Sequence, residues 1–83
     1  MTRLVTEEDL QGKSTWELDV MRNEIYARHG RRFKRNDLQR YFDRQPWYAP
    51  RYAVDDFPAG LLSDIQAKNV EFIRDYQRRK GLS

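Results

Sequence analysis

The run Tyr26-Ala27-Arg28-His29-Gly30 holds the only histidine of an 83-residue chain, and Arg31, Arg32, Lys34 and Arg35 follow it directly. Histidine has the unperturbed pKa nearest neutrality, so His29 is the natural general acid or base in this sequence. The cations beside it suit an anionic group. If this stretch is helical, Arg22, Tyr26 and His29 share one face at i, i+4 and i+7, with Asn23 and Ala27 alongside. Glu24 and Arg28 form an i,i+4 ion pair. The functional reading is that Tyr26, Arg28 and His29 line a ligand site. The structural alternative has Asn23 and His29 satisfying loop backbone groups, with Tyr26 in the core. It predicts a mostly buried His29 ring that donates to a backbone carbonyl.

A reaction needs more than an acid/base group. Ser14 and Ser63 read as helix caps, Ser83 is terminal, and no serine or threonine neighbours His29 in a catalytic pattern. The chain has no cysteine, hence no disulfide framework and no thiolate metal site. A zinc site would need mostly carboxylate ligands beside the single histidine, so neither a metal nor a cofactor is expected. The leading reading is a non-enzymatic binding module. Its alternatives are a small enzyme using His29 as acid/base with Arg28 beside it, and a purely structural interaction domain.

Charge is unevenly placed. Residues 1–27 are net −3, residues 28–44 are net +5, and the remainder is net +1. Arg28, Arg31, Arg32 and Arg35 could form an anion-binding face, or simply a solvated basic surface. Trp47, Tyr48 and Tyr52 could offer stacking faces to a sugar or a base. The alternative places them in the core, with Trp47 plugging its open side after Pro46. The basic excess is modest and no docking motif for nucleic acid is legible, so nucleic acid is not an expected partner.

The elements that must position these residues are helical. Capping boxes open three segments: Thr6 with Asp9, Ser14 with Glu17, and Ser63 with Gln66. They predict a short turn over 7–11 ended by Gly12, a helix over 15–29 closed by Gly30, and a last helix over 63–80 ended by Gly81. Leu18, Met21 and Ile25 recur at helical spacing in the second, with Trp16 and Val20 alongside; Ile65, Phe72, Ile73 and Tyr76 do so in the last. Asn36 is expected to cap a helix over 37–44 that turns Leu38, Tyr41 and Phe42 inward. Asn69 falls within an apolar stripe, where an unbonded amide is costly, so it is expected to hold the aromatic loop or the turn after Gly30.

These signals describe an all-α domain of three to four helices, with a long aromatic-rich irregular loop before the last helix. Although hydrophobic content is only 39%, eleven aromatics can supply a core. The domain is expected over 6–80, with 1–5 and 81–83 as flexible ends. No apolar run approaches the ~20 residues of a membrane span, and residues near the N-terminus lack a signal-peptide core. If the natural protein is exported, its signal or anchor is expected outside this chain.

The block Met21-Arg22-Asn23-Glu24-Ile25-Tyr26-Ala27-Arg28-His29-Gly30 resembles the signature of the bacterial YARHG domain. Phe33, Leu38, Tyr41-Phe42, Pro46-Trp47-Tyr48, and Leu62-Ser63 through Asn69 and Ile73 continue the likeness in order, over about residues 7–77. Gln66 stands where the family usually carries glutamate, and a glutamine still closes the capping box. The resemblance implies an extracytoplasmic setting, in the cell envelope or secreted, and a family without established activity for which cell-wall binding has been suggested. A cell-wall polymer or another envelope protein is the partner it implies. The residues singled out for ligand binding are Tyr26, Arg28, His29, Arg31, Arg32, Trp47 and Tyr48; Asn23 and Asn69 are expected to be structural.

Overall fold

The computed structural model describes residues 3–82. Four helices follow one another: α1 (Glu7–Leu10), α2 (Thr15–Ala27), α3 (Asn36–Asp43) and α4 (Asp64–Arg79), with a single 3-10 turn at Val54–Asp56 before α4. All three capping boxes form as the sequence predicts. In each, a Ser or Thr side chain takes the N3 amide while the N3 side chain takes the N-cap amide. No strand occurs among the described residues; one parallel bridge joins Arg31 to Tyr52.

The start of α3 departs from expectation. Asn36 is its first residue rather than its cap, and the N-cap is Arg35, which makes no side-chain cap bond. Asp37 does the capping work instead. Its carboxylate accepts the Leu38 amide at 2.8 Å and is held by the Arg35 guanidinium at 2.9 Å.

α2 lies chiefly against α4, with α3 touching its other side. Two clusters make the core. One is mostly aliphatic: Val5, Leu10, Leu18 and Ile73 with Tyr76, joined by α1, α2, α4 and the N-terminal segment. The other gathers Ala27, Phe33, Leu38 and Phe42, against which Tyr26, Tyr41, Trp47 and Tyr48 pack. Fully buried Phe42 is its hub, with rings of Phe33 and Tyr41 at about 5 Å and of Trp47 and Tyr48 at 6.0 Å.

The expected flexible ends are in part fastened. Val5 is buried, its amide donates to Asn69 Oδ1 at 2.8 Å, and Arg3 reaches Asp9 at 2.8 Å. Leu82 packs on the aliphatic cluster and its amide donates to the Gln77 carbonyl at 2.7 Å. Residues 1, 2 and 83 lie outside the described residues. Two stripe assignments also shift: Ile65 is exposed, and Val70, unmarked in the sequence reading, is buried instead. Trp16, placed alongside the α2 stripe, is likewise exposed at its edge.

Candidate functional site

The end of α2 is a Schellman-type closure. Gly30 sits at φ 86°, its amide donates to the Ala27 carbonyl at 2.9 Å, and the Arg31 amide donates to Tyr26 at 3.3 Å. Left-handed backbone alone favours glycine there. A second constraint is steric: a Cβ on Gly30 would lie 2.8 Å from the Ala49 carbonyl oxygen. That close approach exists because the Gly30 carbonyl accepts the amides of both Arg51, at 2.7 Å, and Tyr52, at 3.0 Å. The Arg32 amide returns a bond to Tyr52 at 2.8 Å. The turn therefore holds the aromatic loop by its backbone.

His29 ties the same turn to α4, though not as the structural alternative expects. Its ring is half-buried, and its Nε2 meets a side chain, Gln66 Oε1, at 2.9 Å. The same Oε1 takes the Ser63 amide at 3.0 Å. An atom that accepts a backbone N–H is the amide oxygen, so His29 carries its proton on Nε2 and donates it. No carboxylate or hydroxyl is bonded to the ring among the described residues.

Tyr26 is half-buried and engaged by neighbouring side chains. Phe57 meets the rings of Tyr26, Tyr52 and His29 at 5.7, 5.9 and 6.4 Å, and the Arg31 guanidinium lies 4.1 Å above the Tyr26 ring. Tyr48 is likewise engaged, its hydroxyl donating to the Arg31 carbonyl at 2.8 Å. Trp47 is half-buried, not a buried plug. One side packs on Phe42, and the Arg28 guanidinium lies 3.7 Å over its ring.

Arg28 is the motif's outward side chain. It is exposed, stacks on Trp47, pairs with Glu24 at 3.3 Å, and edges an open groove of about 390 Å³. Met21 and Ile25 line the groove with Glu24, Arg28 and Gln66. Apolar walls with a few convergent polar groups are the usual make-up of ligand sites.

The basic segment does not form one continuous face of free cations. Arg35 bonds Asp37 and Asp19, Lys34 lies 3.5 Å from Asp55, Arg28 takes Glu24, and Arg31 is half-buried between rings. Of the four arginines proposed, Arg32 alone has no ion pair or ring contact among the described residues, and it is exposed.

The two asparagines have partners other than those expected. Asn23 donates to the Asp19 carbonyl of its own helix at 2.8 Å, not to a loop. Asn69 holds the N-terminal segment rather than the aromatic loop, accepting from Val5 and donating to the Arg3 carbonyl at 2.9 Å. The sequence reading missed Asp19, a buried carboxylate that takes Gln77 Nε2 at 2.8 Å and Arg35 at 3.1 Å. Gln77 follows Ile73 by four residues on the buried stripe, and that spacing is the signal for this pair.

Among the described residues no three His, Asp or Glu side chains converge as a metal site, and no helix is long and apolar enough to cross a membrane. No curated protein and no solved structure matches the chain at a significant level. A family model described as the YARHG domain matches residues 1–78. The turn that names the motif is the joint on which loop and last helix are hung, and the chain belongs to the YARHG domain family.

Proposed function

We propose that this chain is a non-enzymatic, extracytoplasmic binding module of the bacterial envelope, and that its ligand is cell-wall polymer docked in the Arg28 groove. The observation that carries this reading is the composition of that groove. Met21 and Ile25 give it an apolar floor suited to the C–H face of a sugar, and Glu24, Arg28 and Gln66 offer planar polar groups at its edge. Arg28 is already oriented by Trp47 and Glu24, so little ordering remains to be done on binding. The rest of the motif supports the site from behind: His29 fixes Gln66, and Gly30 fixes the loop that presents Trp47.

Co-sedimentation with purified, insoluble peptidoglycan sacculi tests the reading. The parent chain is expected in the pellet. Arg28→Ala, at an exposed position, should weaken retention by at least about tenfold, the loss expected when a charged hydrogen bond is removed. A parent chain left in the supernatant, or an Arg28→Ala chain retained equally, overturns it.

A further inference from the structure

The face of α2 opposite the Arg28 groove borders a second cleft, of about 200 Å³, whose walls include Arg22, Arg31, Lys34 and Arg35 together with Phe33 and Leu38. These four cations are not equivalent. The donors of Arg35 engage Asp37 and Asp19, and Lys34 faces Asp55 at the exposed rim. Arg22 is 3.6 Å from Asp19, whose oxygens already take Gln77 and Arg35. Arg31 has no carboxylate within ion-pair distance among the described residues; rings of Tyr26 and Phe33 lie under its guanidinium at 4.1 and 5.1 Å. The Nε atoms of both Arg22 and Arg31 are covered from solvent and lack a hydrogen-bond partner among the described residues. Buried donors are seldom left unmatched. Burial also pushes both guanidinium groups below their ordinary pKa, the mark of charge taken from water without full compensation.

We propose that this cleft is a binding site for a carboxylate group that carries a small apolar substituent. The four lining cations set against Asp19, Asp37 and Asp55 leave about one positive charge, which a monoanion matches, and Arg74 adds to the field at Arg22 from outside the lining. The Nε–Nη edge of a guanidinium takes both oxygens of a carboxylate in one plane. Entry of the ligand turns those edges toward it and gives Arg22 and Arg31 the acceptors they lack. Phe33 and Leu38 then cover the substituent. The site lies across α2 from the Arg28 groove and stands or falls independently of it.

NMR of the full chain tests this, following the arginine Nε–Hε resonances during titration with acetate and with butyrate at constant ionic strength, with chloride as control and inorganic phosphate for comparison. Saturable shifts are expected at Arg22 and Arg31 and not at Arg28 or Arg32. Butyrate should bind at least about threefold tighter than acetate, because it adds methylene groups that the cleft can bury. Arg22→Gln should weaken butyrate binding about tenfold. Lys34→Ala, at the exposed rim, should weaken it only about two- to threefold while keeping the fold. Shifts spread evenly over all arginines, phosphate bound more tightly than butyrate, or Arg22→Gln binding unchanged would each overturn the proposal. The parent chain's own shift pattern decides the matter even if Arg22→Gln does not fold.

Discussion

The two halves of this core are built by different means. The aliphatic half is helix against helix: Leu18 of α2 meets Ile73 and Tyr76 of α4, with Leu10 of α1 and Val5 filling the end. The aromatic half sets one short helix, α3, and irregular chain between Phe33 and Tyr48 against Val20, Tyr26 and Ala27 at the end of α2. Periodic burial suffices to hold the first. The second needs specific bonds from the YARHG turn, namely two amides on the Gly30 carbonyl and the Tyr48 hydroxyl on the Arg31 carbonyl. A loop without its own helical bonds must find partners for its backbone groups, and here one glycine carbonyl and its neighbours supply them.

The sharpest way to break this contrast is Phe42→Ala. Phe42 is fully buried and touches four other rings, so its truncation should cost about 3–5 kcal/mol. Chemical denaturation followed by Trp fluorescence and by far-UV circular dichroism checks it. Coincident transitions mean the halves fold as one unit; loss of the aromatic half alone would mean that they separate.

A pair of polar substitutions compares the ties themselves. Asn69→Ala leaves the buried Val5 amide without its acceptor and should cost about 1–3 kcal/mol. His29→Ala removes a half-exposed bond whose partner, Gln66, keeps the Ser63 amide, so about 0.5–1.5 kcal/mol is expected. Urea denaturation of both variants ranks them, and a His29 variant less stable than the Asn69 variant would reverse the assignment.

Acid distinguishes the caps from the core. The Arg3 guanidinium holds the Asp9 carboxyl well below its ordinary range, while the Ser14 amide lowers that of Glu17 and Arg35 that of Asp37. Carboxyls with depressed folded-state pKa contribute stability above the unfolded value, near pH 4, and lose it as pH falls through the folded value. Tm should therefore stay level down to about pH 5 and decline below about pH 4. Asp9→Asn should make that decline shallower. A decline of unchanged steepness would remove Asp9 from the account.

Much of the aliphatic half was legible in the sequence, because capping boxes and apolar spacing are local signals. Thr6, Ser14 and Ser63 each mark a helix start, and Gly30 and Gly81 each mark an end. Long-range pairings were not. Asn69 and His29 stood out as polar groups in need of partners, yet nothing in the spacing says that Asn69 meets Val5, 64 residues away, or that His29 meets Gln66. The aromatics of a small domain are usually buried, which points to Trp47 as a plug; the arginine that covers its outer face belongs to another element. Asp19 carries no local signal, since its partners, Gln77 and Arg35, become neighbours only when α4 and the start of α3 dock on α2.

The central claim is that the YARHG turn is a joint, and two glycines test it most directly. Gly12 and Gly30 both adopt positive φ, at 80° and 86°, but a Cβ on Gly12 meets nothing within 4 Å, whereas one on Gly30 meets the Ala49 carbonyl at 2.8 Å. Gly12→Ala should cost only the left-handed strain of an L-residue, about 1–2 kcal/mol. Gly30→Ala should cost about 1–3 kcal/mol beyond that, because the loop backbone must give way. Denaturant unfolding of the two variants side by side gives the difference. A clear excess for Gly30→Ala is the predicted result, and equal costs would contradict the claim that this turn holds the loop.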